Sequence, residues 1–382
     1  MKDPGQTLGV EEEFHLVDPQ TGAIAPRPDL SELAASGSVG PGLQAEMLTS
    51  QLEIATPVCT QLPELQHQLV GLRRSAARVA AGHGSAVLAT STHPFAQLGD
   101  IRLAPRERYD RLVERHGAIV TQFNLCGCHV HVGVDDLDLA VRIMSHARPY
   151  LPVLAALAGS SPFHAGQDTG FDSFRLAWLA LWPQGGPPPL LSGAQQYQSV
   201  LGQLIETGLI AEPSELLWDV RPSSRFPTLE FRAADVCTDV VDTVLYAGLV
   251  RSLVRTLAGR VHRGERPSPW PDPVLRAARW RAARYGLGDS LYSVAGSGLV
   301  PAADAVAELL AELSEDLRQH EEWVFVSDGV RRLLREGTSA TRQRRLVASG
   351  SGLADVVIAL LPMSAAADST DRSAVDDRAG TV

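Results

Sequence analysis

Near the N-terminus three consecutive carboxylates lie inside an apolar run, Leu8-Gly9-Val10-Glu11-Glu12-Glu13-Phe14-His15-Leu16-Val17. The run alternates as a strand does, and charge in a half-buried strand is costly unless something neutralises it. Leu8, Val10, Phe14 and Leu16 share one face, and Glu11, Glu13 and His15 share the other. Glu12 falls among the apolar set, so its replacement is expected to be much milder than that of its neighbours. Two carboxylates about 7 Å apart on one strand face suit a cation or a metal-nucleotide. Taken by itself, such a segment is more often a solvated outer face.

Four further segments place polar groups on strand faces. In Cys128-His129-Val130-His131-Val132-Gly133-Val134, His129 and His131 share a face, while Cys126 and Cys128 project away from them. That parity argues against a mixed Cys/His zinc site and marks the cysteines as small buried apolar residues. The His-x-His pair itself reads equally as structural or as a source of one or two metal ligands. In Thr228-Leu229-Glu230-Phe231-Arg232-Ala233, Glu230 and Arg232 lie side by side. They form either an intrastrand ion pair, worth little if exposed, or a metal ligand beside a phosphate-stabilising cation. Upstream, Asp219 and Arg221 share a face in Trp218-Asp219-Val220-Arg221-Pro222, and Arg221 and Arg175 are candidate carboxylate clamps. Glu53 opposes Leu52 and Ile54 in Gln51 to Thr56; Glu46, seven residues earlier, would alone be taken for a surface residue.

Together these groups give oxygen-rich ligation with little thiolate, which favours Mg²⁺ or Mn²⁺ over structural zinc. Divalent ions beside arginines are what phosphoryl transfer from ATP requires, since that chemistry is mainly charge neutralisation and positioning.

The elements that must hold these residues follow from periodicity. A hairpin is expected from 7–17 and 22–26, with strands at 51–56, 85–90, 128–134, 216–221 and 227–234. Helices are expected at 63–81, 105–122, 136–159, 193–207, 239–261, 271–284, 301–321, 328–336 and 339–347. Strands in the first two thirds and helices in the last indicate an α+β fold with a largely antiparallel sheet. Residues 1–363 read as a single domain, and 364–382, rich in Ser, Ala and Asp, as a disordered tail.

Composition narrows the chemistry. The 382 residues carry a formal net charge of −10, which argues against a general nucleic-acid binder. Lys2 is the only lysine, which excludes a Walker A, Schiff-base or kinase-type lysine. No apolar run approaches the ~20 residues needed to span a bilayer. Four cysteines make no disulfide framework in a chain of this size, and the N-terminus lacks a signal-peptide core. A cytoplasmic protein is expected.

In order and at compatible spacing, several of these motifs resemble the carboxylate-amine ligase family related to glutamate–cysteine ligase. They are Gly9 to Phe14, Glu46 with Glu53-Ile54-Ala55-Thr56-Pro57, Thr92-His93-Pro94-Phe95, Gly127 to Gly133, Trp218 to Pro222, Thr228 to Arg232 and Arg284-Tyr285-Gly286. The resemblance spans residue 7 to about 360. It implies a glutamine-synthetase-like, curved, antiparallel sheet forming a funnel, with flanking helices and a helical C-terminal third. It also implies transfer of the ATP γ-phosphoryl group to a carboxylate, followed by attack of an amine on the acyl phosphate, with glutamate and cysteine as candidate substrates. By the same resemblance Glu11, Glu13, Glu46, Glu53, His129 and Glu230 match metal ligands, with His131 on the same face, and Arg232 matches the arginine that stabilises the transferring group. Small-molecule acid and amine substrates and a homodimer or larger homo-oligomer are implied as well. Substrate loops are expected around 92–104, 160–190 and 287–300. Two alternatives remain open: a metal-dependent amide hydrolase using the His-x-His strand, and a non-catalytic metabolite-binding relative.

Overall fold

The computed structural model describes residues 3–367. Its centre is a seven-stranded sheet of β1 (Leu8–Val17), β2 (Leu43–Ala45), β3 (Gln51–Ala55), β4 (Ala86–Leu88), β5 (Gly127–Gly133), β6 (Val220–Pro222) and β7 (Thr228–Asp235). The strand order is β6-β7-β5-β1-β3-β2, with β4 pairing the far end of β1, and every pairing is antiparallel. The acidic strand β1 is therefore central, flanked by β3 on one side and β5 on the other.

Strand parity divides the sheet into two faces. Val10, Phe14, Ile54, Val130, Val132, Leu229 and Phe231 are buried on one of them. The helix α9 (Val240–His262) covers this face, packing on β5 and β1, and its 23 residues are apolar almost all round, as a helix buried by its neighbours must be. Asp239 caps it, accepting from the Val241 amide. The helices 62–82, 302–319 and 323–336 pack on α9 in turn. Helices segregated to one face of an antiparallel sheet leave the other face free for a site.

The helices follow the periodicity with physically legible departures. The stretch 105–122 is broken into Glu107–His116 and Ala118–Thr121 by Gly117, whose φ of 56° ends the first helix. The stretch 136–159 is broken at Arg148-Pro149-Tyr150, where Pro149 and Pro152 withhold amide donors. Residues 22–26 do not form a strand: a turn held by the Asp18 side chain leads to a single bridge between Val17 and Ile24. The expected tail boundary at 364 is also corrected. A last helix runs from Leu353 to Ser364, and the buried Ser364 hydroxyl accepts from the Ala89 amide and donates to the Leu360 carbonyl. The remainder of that expected tail, 368–382, lies outside the described residues. Among the described residues no helix is long and apolar enough to cross a membrane.

Candidate active site

Register brings the polar residues of four strands onto one sheet face. Across β1 and β5 Glu11 pairs with His129; across β1 and β3 Glu13 pairs with Glu53; across β5 and β7 His131 pairs with Glu230. Glu46 reaches the same place because β2 ends at Ala45 and the chain doubles back into β3. Seven residues of sequence separation thus become a hairpin turn.

Among the described residues, two sets of ligand atoms come within 4.8 Å of one another: Glu11, His131 and Glu230 in one, and Glu13, Glu46 and Glu53 in the other. His129 sits between them. Its Nδ1 is 3.3 Å from Glu11 Oε2 and 3.4 Å from Arg232 Nη1, and its Nε2 is 3.9 Å from Glu13 Oε1. Of the two histidines, it is His131 that completes a three-ligand group, while His129 bridges the groups.

The electrostatics differ between the groups. In the first, burial disfavours ionised Glu230, but Arg232 and Arg221 override it and hold the carboxyl well below the usual range. Burial likewise opposes ionisation of Glu11, yet the neighbouring His129 and His131 keep its carboxyl low. In the second group Arg232, and for Glu46 also Arg108 and the Met47 amide, compensate only in part. Burial and then Glu13 push Glu46 up to about 7, and burial and then Glu11, Glu46 and Glu13 raise Glu53 well above the usual carboxylate range. Three crowded carboxylates, two of them pushed toward the protonated form, suit a divalent ion that would supply positive charge. His131 Nε2 points the same way for the first group: Nδ1 is engaged with Thr228 Oγ1 at 2.9 Å, and Nε2 has no hydrogen bond. The donor sets therefore fit divalent cations.

Asp235 is placed by an irregularity in β7. Phe231 opposes Val130, but Ala234 opposes Cys128, so three steps on β7 match two on β5. This bulge resets the parity. Asp235 consequently joins Arg232 on the site face, where simple alternation would have assigned Ala234 instead. Arg232 Nη1 donates to Glu230 Oε1, and its guanidinium also lines a cavity of about 460 Å³ together with Glu13, Glu46 and His129.

Arg175 lines this cavity too, from the first turn of the helix Phe174–Leu179. It is 5 % exposed, donates through Nη2 to the Arg232 carbonyl at 3.1 Å, and leaves Nη1 without a hydrogen bond. Asp235, 3.9 Å from Nη1, is itself fixed by the Ser160 amide and the hydroxyls of Ser161 and Ser173. Arg221 corrects the expectation that it clamps a substrate carboxylate or binds the nucleotide. It is turned into the protein, donating to both oxygens of Glu230 and to the carbonyls of Pro213, Ser214 and Leu216. Its role is to orient Glu230.

The opposite cavity wall is apolar and aromatic, including Tyr109, Phe123, Leu179 and Trp182. Arg175, Leu179, Trp182 and Gln184 come from the expected loop region 160–190, whereas 92–104 and 287–300 contribute nothing to the lining. The 92–104 segment is instead fastened to the N-terminal turn by His93 Nε2 at 2.8 Å from the Gly22 carbonyl. The residues missed by sequence reasoning, at 108–125 and 211–217, belong to an amphipathic helix and to a short irregular segment. Neither carries a signal of pocket lining. Asp235 could have been found only by knowing the bulge.

A profile of glutamate–cysteine ligase family 2 matches residues 7–357. The chain belongs to this family. Relatives include a protein of Salinispora arenicola provisionally named glutamate–cysteine ligase 2, 41% identical over 342 residues and 89% of this chain and 90% of that one. A protein of the same provisional name from Rhodospirillum rubrum is 40% identical over 357 residues, 91% of this chain and 90% of that one. Among solved structures, a glutamate–cysteine ligase of Francisella tularensis in complex with AMP superposes with a TM-score of 0.67 at 14% identity, covering 98% of this chain and 92% of that chain. A bifunctional glutathione synthetase of Pasteurella multocida gives 0.69 at 17% identity, covering 94% of this chain; this chain spans about half, 52%, of its length. At these identities the structural likeness establishes the shared α+β ligase fold. As a member of glutamate–cysteine ligase family 2, the chain is an ATP-dependent ligase that forms a carbon–nitrogen amide bond. Family membership replaces the hydrolase reading of the His-x-His strand.

Proposed function

We propose that the chain activates a carboxylic acid as its acyl phosphate and joins it to an amine, with Mg²⁺ or Mn²⁺ held by the two acidic groups and with glutamate and cysteine as the first acid and amine to test. The observation that carries this reading is the position of Arg232, bonded to Glu230 of one group and lining the cavity beside Glu13 and Glu46 of the other. An arginine shared by two cation sites suits the point where a phosphoryl group passes between nucleotide and substrate.

A substrate carboxylate oxygen attacks the γ-phosphorus and ADP leaves; the amine nitrogen then attacks the acyl carbon, inorganic phosphate departs and the nitrogen sheds a proton. Bound divalent cations would neutralise phosphate charge during transfer. Arg232 offers a permanent positive charge to the transferring group. Arg175, with one Nη free, offers a hydrogen-bonding cation to the substrate carboxylate. The apolar wall excludes water that would hydrolyse the acyl phosphate. This reading has small-molecule acid and amine substrates, a cytoplasmic setting and a homodimer or larger assembly, the last measurable by light scattering.

The test is coupled ADP release with Mg·ATP, pairing amino acids and other acids against amines. Release that requires both an acid and an amine supports the reading, with Glu230→Gln and Arg232→Ala each reducing it about a hundredfold or more. Full activity in either variant contradicts the site, and ATP binding without turnover across the panel favours a non-catalytic relative.

A further inference from the structure

The hairpin joining β6 to β7 presents Phe226 to solvent, 55 % exposed, directly beside one of the two acidic groups. Its ring lies 6.0 Å from that of His131 and nearly perpendicular to it, at 88°. His131 is 8 % exposed, and its Nε2, 3.5 Å from Glu11 Oε1, has no hydrogen-bond partner. An unpartnered buried nitrogen, two carboxylates and an exposed aromatic face therefore occupy one end of the site. The cavity occupies the other: it is lined by Glu13, Glu46, Arg175 and Arg232, but not by Glu11, His131 or Glu230.

The two ends call for different ligands. The cavity pairs an apolar wall with Arg175, which fits a small organic acid or amine. The other end joins a cation-ligating group to an exposed π face, which fits a ligand that is polyanionic at one end and flat and aromatic at the other. A nucleoside triphosphate has that make-up.

We propose that Phe226 is the platform on which the base of the nucleoside triphosphate stacks, with the phosphates directed to the Glu11–His131–Glu230 group and the acid and amine confined to the cavity beside Glu13 and Glu46. This assignment rests on the ligase reading above. Stacking is tolerant of base identity because every base offers a π face. More than half of the Phe226 surface is open to solvent, which leaves ring area for a planar group.

The test compares binding of Mn·ATP and of Mn·tripolyphosphate, which carries the same kind of charge without a base, to the full chain by calorimetry without acid or amine. Phe226→Ala is expected to weaken ATP binding about tenfold while leaving tripolyphosphate unchanged, and Phe226→Trp to restore ATP affinity. Equal weakening of both ligands would show that Phe226 only props His131, and unchanged ATP binding would show that the base lies elsewhere; either overturns the assignment while the ligase reading stands. Failure of the unaltered chain to bind either ligand overturns the ligase reading and this assignment together. Phe226 is exposed at a hairpin tip, and equal melting temperatures of the three proteins verify that the comparison concerns binding.

Discussion

Glu12 and Arg73 form a two-pronged ion pair beneath the sheet, Nε to Oε2 at 2.8 Å and Nη2 to Oε1 at 2.5 Å, with both side chains 0 % exposed. Arg73 also donates to the carbonyls of Cys237 and Thr238, and the Thr243 hydroxyl donates to Glu12. The middle glutamate of the triplet thus ties the sheet to the helix Leu62–Gly82 and to α9, whereas its two neighbours face the site.

Strand parity separates Glu12 from its two neighbours, but the buried pair with Arg73 does not fit the expectation that its replacement is mild. Glu12→Ala leaves a guanidinium buried without its counter-charge, a change that costs about 3–5 kcal/mol. A large fall in the denaturation midpoint is expected. Glu11→Gln should instead abolish ADP release while shifting that midpoint little, and equal destabilisation of the two variants would contradict this division.

Crowding of Glu13, Glu46 and Glu53 predicts a stability that depends on cations and pH. Glu46, raised to about 7 by burial and Glu13, binds a proton in the folded chain that its unfolded form releases near the ordinary 4.5. The folded state thus holds more protons in that window, and stability falls as pH rises through it. In chelator-treated buffer Glu46→Gln should therefore gain on the unaltered chain between pH 4.5 and 7, read as the difference in melting temperature. Adding millimolar Mn²⁺ should reverse the order, because an ion bound to the folded state stabilises by mass action. A difference independent of pH and metal would remove the cation site from this group.

Gly127 stands against two site residues at once. A Cβ there would lie 2.5 Å from Arg175 Nη2 and 3.1 Å from His129 Nε2. Gly127→Ala must move both side chains, and a displacement of about 1 Å can cost ~100-fold in rate. Turnover is expected to fall at least about tenfold, ~1.4 kcal/mol in barrier, without loss of cooperative unfolding. Unaltered kcat/KM would show that neither side chain needs its present position.

Asp235 acts through Arg175. Asp235→Asn keeps the shape and one oxygen to accept from the Ser160 amide and the Ser161 hydroxyl, but puts an NH2 where Oδ1 accepted from Ser173 and removes the charge that faces Arg175 Nη1 at 3.9 Å. The KM for one organic substrate should rise about tenfold with the KM for ATP unchanged. A purely structural role would lower stability and leave that split unmoved.

Much of this was legible because β-strands have a period of two. That period alone assigned Glu11, Glu13, His129, His131, Glu53 and Glu230 to polar faces. Arg221 was misjudged because a sequence cannot show which donors are already spent. Here the carbonyls of 213–216 and Glu230 take them. The cavity wall from 108–125 and 211–217 was invisible for a related reason: Tyr109 and Phe123 look like ordinary core residues until the surface they face is known.

The sequence by itself determined the chemistry available: carboxylate and imidazole side chains able to ligate a cation, arginine in place of lysine, and a two-faced sheet to carry them. Tertiary structure decided how they are shared out. Antiparallel register split these side chains into two groups, the bulge after Phe231 turned Asp235 to the face of Arg232, and the fully buried Arg73 made Glu12 a structural residue. Local alternation fixes which way a side chain points from its own strand, but pairing across strands fixes what it meets there.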